Sequence, residues 1–361
     1  MRVAVIGGGV VGVTTALELG RREAEVTLFE ADELASKSTG RAAGVCYDAF
    51  ADPNDADIAT RALSVFRERD ALVDCPYVWL ARDGDDRSID AIDDGVSRMQ
   101  RNGLDVELVD PDVLGERYPA LCVEDVERAA VANDAGYVET TAYTRETAAL
   151  AVDAGVDVRE RTPVSVESGR TVDGETYDAV VVAAGAHTAR LLADGGLSLA
   201  MKPYRVQAFC SEPTPISERV PMLYDATGGY YLRPRAGGLF VGDGTEPIER
   251  DPDEYDRTAD DWFVDDCATY LKTAIGETVP ERRSWAGLCT ATPDGDPLVG
   301  ERAPGVYVAT GFQGHGFMRA PALGERLAEQ VCSGDGIDAF DPKRFDGDEA
   351  FEIVEGMALD D

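Results

Sequence analysis

The sequence predicts an α/β protein with two domains, one built on a parallel sheet and the other an α+β domain built on an antiparallel sheet. Three observations support this prediction. The chain opens with a strand, a glycine turn, a helix and a second strand. The order of strand, small-residue turn and helix recurs in the middle and near the end of the chain. Between these segments apolar and polar residues alternate, which is typical of antiparallel strands.

The opening unit reads "RVAVIGGGVVGVTTALELGRREAEVTLFEAD". Residues 3–6 form a buried apolar run, residues 10–19 have helical periodicity, and residues 26–29 predict the second strand. Together they form a parallel βαβ unit. A further buried strand is predicted at residues 180–184, and a strand, glycine loop and helix are predicted in "GVYVATGFQGHGFMRAPALGERLAEQV".

The nucleotide-binding layer is therefore predicted to be discontinuous in sequence. Within the second domain, residues 204–246 predict antiparallel strands and residues 252–276 an acidic amphipathic helix. The predicted division is a nucleotide domain at residues 1–75, 140–203 and 285–338, a substrate domain at 76–139 and 204–284, and an acidic, peripheral C-terminal tail at 339–361.

The composition narrows the classes of function. The 361 residues are 44% hydrophobic and contain no apolar run long enough for a membrane span. We interpret the first apolar run as a strand rather than a signal peptide, and we therefore expect a cytoplasmic protein. The net charge of −35, from 69 acidic and 34 basic residues, disfavours nucleic acid and anionic membranes as partners. This acidity indicates either an acidic protein kept soluble by charge or a halophilic protein adapted to molar salt.

Cysteine and histidine usage argues against a metal site. The seven cysteines are scattered and form no C-x-x-C motif, so a disulfide framework or zinc site is not expected and a reducing compartment is favoured. Only His187 and His315 are present, which excludes a site with several histidine ligands.

The first glycine turn has the chemistry of a Rossmann-type dinucleotide site. Gly7 permits a tight turn, Gly9 lets the backbone approach a pyrophosphate, and Gly12 lets the helix pack on the strand. Glu30 ends the second strand, where a carboxylate accepts hydrogen bonds from ribose hydroxyls and would repel a 2′-phosphate. NADP is therefore disfavoured. NAD and FAD remain, and the small-residue loop "LASKSTGRAAGVCYDAF" after the second strand favours FAD, because it could lie along a flavin.

Several ordered motifs then resemble a known family. They are "STGRAAG" at 38–44, "AGVDVRERTPV" at 154–164, "DAVVVAAGAHT" at 178–188, "GGYYLRPRAGGLFVG" at 228–242, "WAGLCTATPDGDPLVG" at 285–300 and "GFQGHGFMRAPALGERLAE" at 311–329. Over almost the whole chain, the sequence resembles the FAD-dependent amino-acid and amine oxidoreductases of the D-amino-acid oxidase superfamily, which include glycine oxidase, sarcosine oxidase and D-amino-acid dehydrogenases. The resemblance implies the glutathione-reductase-like FAD fold of the glycine and sarcosine oxidase type.

The resemblance also implies the cofactor contacts. The "STGRAAG" loop would wrap the pyrophosphate and flavin, Val164 would hold the adenine through its backbone, and the first turn of the last helix would face the pyrimidine edge of the flavin. His187 and His315 are expected to be structural rather than catalytic. With the glycine motif, the predicted cofactor residues are Gly7, Gly9, Val10, Val11, Gly12, Glu30, Ala31, Ser38, Thr39, Arg41, Ala42, Ala43, Gly44, Val164, Ala183, Ala184, Gly185, Gly287, Gly314, His315, Gly316, Phe317 and Met318.

On the substrate side, the resemblance assigns Tyr231 to the substrate carboxylate, and a sheet aromatic is the alternative. Relatives read "WAGLR" where this chain has Cys289, so the usual carboxylate-binding arginine is replaced by a thiol. Arg233 or Arg319 would then take its place, or the substrate is not an ordinary α-amino acid. Arg233 could equally pair with an acidic residue. Tyr47 is expected at the pocket mouth.

The implied reaction is oxidation of a C–N bond of an amino acid or secondary amine, by hydride transfer to flavin N5 and hydrolysis of the released imine. Sarcosine-oxidase relatives carry a lysine at the position of Phe240, which favours a dehydrogenase over an oxidase here, although glycine oxidase also lacks that lysine. The covalent attachment cysteine of those relatives would align near Gly287, so non-covalent FAD is expected.

Three functions remain open from the sequence. They are a stand-alone FAD enzyme, a flavoprotein subunit of a larger amine, proline or sarcosine dehydrogenase complex, and an NAD-linked dehydrogenase or non-catalytic dinucleotide-binding protein. The substrate and its stereochemistry, the electron acceptor (oxygen, a quinone or another carrier) and the homo- or hetero-oligomeric state also remain open.

Overall fold

The computed structural model describes residues 1–167 and 169–354. The strands are β1 (Arg2–Ile6), β2 (Glu25–Phe29), β3 (Val45–Tyr47), β4 (Val73–Asp74), β5 (Tyr77–Arg82), β6 (Val106–Val109), β7 (Val126–Ala132), β8 (Ala135–Tyr137), β9 (Asp157–Arg159), β10 (Thr171–Val172), β11 (Glu175–Thr176), β12 (Ala179–Val182), β13 (Lys202–Ser211), β14 (Met222–Asp225), β15 (Tyr230–Arg235), β16 (Gly238–Glu249), β17 (Glu281–Ala291), β18 (Leu298–Ala303) and β19 (Val306–Thr310). The α-helices are α1 (Val10–Arg21), α2 (Ser38–Arg41), α3 (Pro53–Glu68), α4 (Asp86–Arg101), α5 (Pro111–Arg117), α6 (Thr140–Asp153), α7 (Thr188–Asp194), α8 (Asp261–Ile275) and α9 (Gly316–Ser333).

The first sheet has six strands in the order β18-β19-β12-β1-β2-β9. All neighbours are parallel except the edge pair β18 and β19. Side chains of β1 alternate between its two faces, so Val3 and Val5 pack in one hydrophobic cluster while Ala4 and Ile6 pack in another. The predicted Rossmann-type layer is confirmed, with β1 at its centre.

The second sheet has eight strands in the order β17-β13-β16-β15-β14-β5-β7-β6. Its neighbours are antiparallel except β5 and β14, which are parallel. One face packs on α8 through buried residues that include Phe263 and Leu271. The predicted antiparallel sheet is confirmed apart from that one pair.

The predicted acidic helix at 252–276 is wrong at its start, because α8 begins at Asp261. The preceding loop is bound by the buried Arg205, whose Nε donates to the carbonyl of Asp256 (3.0 Å) and whose Nη1 pairs with Asp260 (2.8 Å). The Asp260 N–H donates to Gln207 Oε1 (2.7 Å). These contacts hold the loop extended, so helical hydrogen bonding starts only after Asp260.

The predicted domain division stays a prediction, although β17 runs across its boundary at residue 285. The described part of the predicted tail packs on the body of the protein rather than lying loosely at its periphery. Ile353 is buried beside Tyr204 and Ala291, and Lys202 Nζ donates to the carbonyl of Phe351 (2.5 Å). Tail residues 355–361 lie outside the described residues. Within the described part of the chain, no helix has the length and apolar character needed to cross a membrane.

Candidate active site

A cavity of about 550 Å³ is lined by residues of both sheets. Its walls include the turn between β1 and α1, the α2 loop, the ends of β2 and β12, the loop before α9, and strands β13 and β15 to β17. This volume lies within the usual range for small-molecule and cofactor pockets.

Most of the predicted cofactor residues lie on this wall. The two exceptions are Gly12 and His315. The predicted residues on the wall are Gly7, Gly9, Val10, Val11, Glu30, Ala31, Ser38, Thr39, Arg41, Ala42, Ala43, Gly44, Val164, Ala183, Ala184, Gly185, Gly287, Gly314, Gly316, Phe317 and Met318.

The glycines at the start of α1 are required by close backbone approach. Gly7 has φ +116°, and a Cβ there would lie 2.4 Å from the carbonyl oxygen of Ala183. A Cβ on Gly12 would lie 2.0 Å from the carbonyl oxygen of Gly7. Gly12 therefore lets the helix pack on the strand, as the sequence predicts, although it does not line the cavity.

Polar side chains order the same turn. Glu30 accepts hydrogen bonds from the N–H groups of Gly8 (2.6 Å) and Asp32 (2.8 Å). Thr39 Oγ1 accepts from the N–H of Val10 (3.1 Å), at the start of α1. No acidic residue lies in the first turn of α1, so its N-terminal dipole is free to stabilise an anion.

The second helix N-terminus on the cavity is that of α9. The backbone turns sharply before it, with φ +50° at Gln313 and +88° at Gly314. Thr290 Oγ1, on β17, accepts from the N–H groups of Gly311 (3.2 Å) and Phe312 (3.3 Å) and ties the loop to the eight-stranded sheet. The first turn of α9 also lacks an acidic residue.

These features fit FAD. Gly7 and Gly9 line the cavity beside the first turn of α1, whose N–H groups can donate to a pyrophosphate. The first turn of α9 supplies a second set of donors at the far wall, suited to the electron-rich pyrimidine edge of a flavin. Residues of both helix N-termini line this one cavity.

His315 lies behind the wall. Burial, reinforced by Arg319, lowers its pKa to about 3, so the imidazole is neutral at pH 7. Its Nε2 lies 3.3 Å from the hydroxyl of Tyr47. The predicted place of Tyr47 at the pocket mouth is wrong, because its ring is buried against Phe50 and Tyr77.

Tyr231 and Cys289 are the predicted substrate-side residues that do reach the wall. Tyr231 lies over Gly242 on the neighbouring strand, where a Cβ would meet its hydroxyl oxygen at 2.2 Å. Cys289 is half-buried, and its strand pairs it with Tyr204 of β13. The sheet therefore brings these two residues to the cavity from strands that are far apart in sequence.

Arg233 does not reach the cavity, which corrects its placement as a carboxylate partner. Its side chain is fully buried, and its guanidinium donates to the carbonyl oxygens of Ala43 and Pro234 and to Glu139. It also stacks on the ring of Tyr137 at 4.6 Å. Because these internal acceptors occupy the guanidinium, Arg233 holds the loop that contains Ala43 against the sheet.

Arg319, the other predicted partner, also lies off the wall. It is buried in α9, forms an ion pair with Asp55 of α3, and lies 5.5 Å from the centre of the Phe50 ring. Burial raises the pKa of Asp55 even though Arg319 acts to lower it. The pair joins α9 to α3 rather than serving a ligand.

The sequence reasoning missed several polar residues on the substrate wall. They are Tyr204, Gln207, Asp243, Thr245 and Arg257. A signal was present for two of them, because "GDGT" at 242–245 interrupts an apolar strand with a polar residue between two glycines. The family motif at 228–242 ends one residue before Asp243.

Comparison with known proteins agrees with this geometry. A family model described as "FAD dependent oxidoreductase" matches residues 2–330. Glycine oxidase of Geobacillus kaustophilus is 28% identical over 359 residues, covering 91% of this chain and 92% of that protein. 4-Methylaminobutanoate oxidase (formaldehyde-forming) of Paenarthrobacter nicotinovorans is 27% identical over 96% of this chain, but only 46% of that protein is covered. Among solved structures, L-proline dehydrogenase from P. horikoshii superposes with a TM-score of 0.87 at 28% identity, covering 95% of this chain and 97% of that one.

Proposed function

The chain belongs to the FAD-dependent oxidoreductase family, and from this membership we propose that it oxidises the C–N bond of a secondary amine or amino acid as a dehydrogenase. At the coarser level it is an FAD-dependent amino-acid or amine oxidoreductase. We further propose that the cofactor is held non-covalently, because the residue near the attachment position of the sarcosine type is Gly287.

The proposal rests on one observation, which is that residues of the predicted nucleotide site and of the predicted substrate site line the same cavity. One cavity joins the glycine turn before α1 to the face of β15, β16 and β17 that bears Tyr231 and Cys289. When bound, FAD supplies the two-electron acceptor for the oxidation. The chain itself holds the substrate between that sheet face and the α9 loop, where buried Phe240 and Trp285 help to exclude water.

Proton transfer by a histidine is not part of the proposal. His315 is neutral and lies behind the wall, and the Nε2 of His187, which lines the cavity, lies 3.0 Å from Asp253 Oδ1. Orientation and desolvation of the reacting C–N bond are therefore the contributions we assign to the protein.

Phe240 supports a dehydrogenase. It is fully buried between Tyr231 and Trp285, at the position where sarcosine-oxidase relatives carry a lysine that helps oxygen react. An aromatic side chain offers no positive charge to stabilise reduced oxygen. The name of the P. horikoshii protein, L-proline dehydrogenase, is consistent with this choice and with a secondary amine as substrate.

The test is an anaerobic screen of the FAD-loaded protein in about 3 M KCl, a concentration at which surface charges are strongly screened. Proline, sarcosine, glycine, and D- and L-alanine are added separately, and bleaching of the flavin absorption is followed. We expect a secondary amine to bleach the flavin fastest, with reoxidation fast by a dye and slow by air. Fast reoxidation by air would make the protein an oxidase, and no bleaching by any amine would overturn the proposal.

A further inference from the structure

Asp243 has an unusual backbone conformation. The other described non-glycine residues with positive φ lie between 48° and 61°, in the left-handed helical region, whereas Asp243 has φ +119°. That region is normally occupied by glycine, and Asp243 stands between Gly242 and Gly244. A strained residue of this kind persists only when its surroundings hold it, and such residues cluster at functional sites.

A β-bulge holds Asp243 in place. Between β13 and β16 the pairing passes from Gln207 opposite Asp243 to Arg205 opposite Glu246, so β16 has one extra residue. The bulge brings Asp243 and Thr245 to the wall of the cavity, on the strand that packs beside Tyr231. Bulges commonly redirect a side chain next to an active site.

The Asp243 carboxylate has no cation partner within residues 1–167 and 169–354. Its Oδ1 accepts a hydrogen bond from the hydroxyl of Thr245 (2.7 Å), and the backbone N–H of Thr245 also favours its charged form. Glu246, three residues later, instead pairs with Arg205 and Arg250. Burial raises the pKa of Asp243 because its charged form is poorly solvated. An unpaired carboxylate in a pocket is costly unless a ligand supplies the missing charge.

The rest of the substrate wall lacks the arginine expected for a carboxylate. Cys289 stands at that position, and Arg233 and Arg319 are occupied elsewhere. Four other cations line the cavity: Lys37 pairs with Asp32, Arg190 pairs with Asp251 and Asp253, Arg41 donates to the carbonyl of Ser36 (3.2 Å), and Arg257 lies over the ring of Tyr255. Within the described residues none of these four forms an ion pair with Asp243, so its carboxylate is available to a charged ligand.

We propose that Asp243 determines substrate specificity by binding the positively charged nitrogen of the substrate. The site then selects amines by their cationic nitrogen and does not require an α-carboxylate. This inference rests on the proposed oxidation of amines, because it assigns a residue of the same site to substrate recognition.

The test compares two probes of similar length, N-methylbutylamine and butanoate, which carry only a positive or only a negative charge. Binding to the FAD-loaded protein is measured by titration calorimetry and by the change in flavin absorption, at one KCl concentration. We expect the wild type to bind the amine at least about tenfold more tightly than butanoate, a difference of about 1.4 kcal/mol. Asp243→Asn should weaken amine binding by about tenfold or more and leave the FAD content unchanged.

Two further variants separate the role of the carboxylate from effects on stability and from general effects of removing a buried acid. Asp243→Gly removes the carboxylate and also the backbone strain, so it should lose amine binding while its melting temperature is no lower than that of the wild type. Asp48→Asn is the matched control, since Asp48 is also a buried aspartate that accepts a threonine hydroxyl, from Thr60, but lies off the cavity wall. It should bind the amine within about twofold of the wild type.

Amine affinity unchanged by both Asp243 substitutions, or butanoate bound as tightly as the amine, would overturn the inference. If the wild type is reduced by amines but Asp243→Asn binds and reacts normally, the proposed function stands and the inference fails. If N-methylbutylamine binding depends on Asp243 but no amine bleaches the flavin, the inference stands and the proposed oxidation fails.

Discussion

The two ends of the cavity are built from different parts of the polypeptide. At the nucleotide end the wall is mainly backbone, and glycines such as Gly7 allow close approach. At the substrate end the wall is made of side chains on strands β13, β15, β16 and β17, including Tyr231, Asp243 and Cys289. A backbone-built site follows from a local sequence pattern, whereas a side-chain site depends on which distant strands pair.

The strongest test of this difference is Gly7→Ala. The added Cβ would lie 2.4 Å from the carbonyl oxygen of Ala183 in a conformation with φ +116°, so the turn must open. We expect the purified protein to lose its flavin. The flavin-to-protein absorbance ratio and the melting temperature measure this.

Gly155→Ala is the control, because Gly155 has φ +89° but no atom within 4 Å of the added Cβ. The substitution adds only the cost of a side chain at positive φ, about 1 kcal/mol, without a steric clash, so this variant should retain FAD. Full flavin content in Gly7→Ala would contradict a backbone-built nucleotide end.

Lowering the salt concentration should weaken FAD binding at the nucleotide end of the cavity and strengthen amine binding at the substrate end. The net charge of −35 opposes both compact structure and the anionic pyrophosphate of FAD. We expect the melting temperature to fall by about 10 °C between 3 M and 0.1 M KCl, which corresponds to about 8 kcal/mol for a chain of this length, and FAD affinity to fall with it. Affinity for N-methylbutylamine should instead rise as salt is lowered, at concentrations where the protein remains folded. A melting temperature independent of KCl would remove the case for a halophilic protein.

Cys289→Arg sharpens the contrast at the substrate end. The guanidinium would restore a bidentate partner for a carboxylate on the wall. We expect KM for glycine to fall by about tenfold, and affinity for butanoate to rise by a similar factor. Cys332→Arg, at an exposed cysteine on α9, is the control and should change neither value. Unchanged butanoate affinity in Cys289→Arg would show that residue 289 does not face the bound substrate.

The smallest expected effect concerns Asp48, which does not line the cavity. Burial raises the pKa of Asp48 to about 6. A raised carboxyl pKa stabilises the native state below about pH 4, and that contribution is lost as the pH rises through 6. Asp48→Asn cannot ionise, so its melting temperature should exceed that of the wild type by a few degrees at pH 8 and match it at pH 4. An equal gain at both pH values would contradict the assignment.

The sequence identified the parallel layer, and most of the residues it predicted for the cofactor line one cavity, because glycine spacing and apolar runs are local signals. It misplaced Arg233 because the decisive contact, with the carbonyl of Ala43, joins residues 190 positions apart. Arg319 and Tyr47 were misplaced for the same reason, since their partners Asp55 and His315 lie on other elements. Asp243 was missed because its place on the wall depends on a register shift between β13 and β16.

The strand order of the first sheet has a consequence for biosynthesis. The central strand β1 is made first, yet its neighbour β12 and the next strand β19 come from the middle and the end of the chain. The two helix N-termini on the cavity, at Val10 and Gly316, are likewise separated by most of the polypeptide. A ribosome must therefore translate past Gly316 before both helix ends can hold FAD, so we expect cofactor uptake only after that point in synthesis.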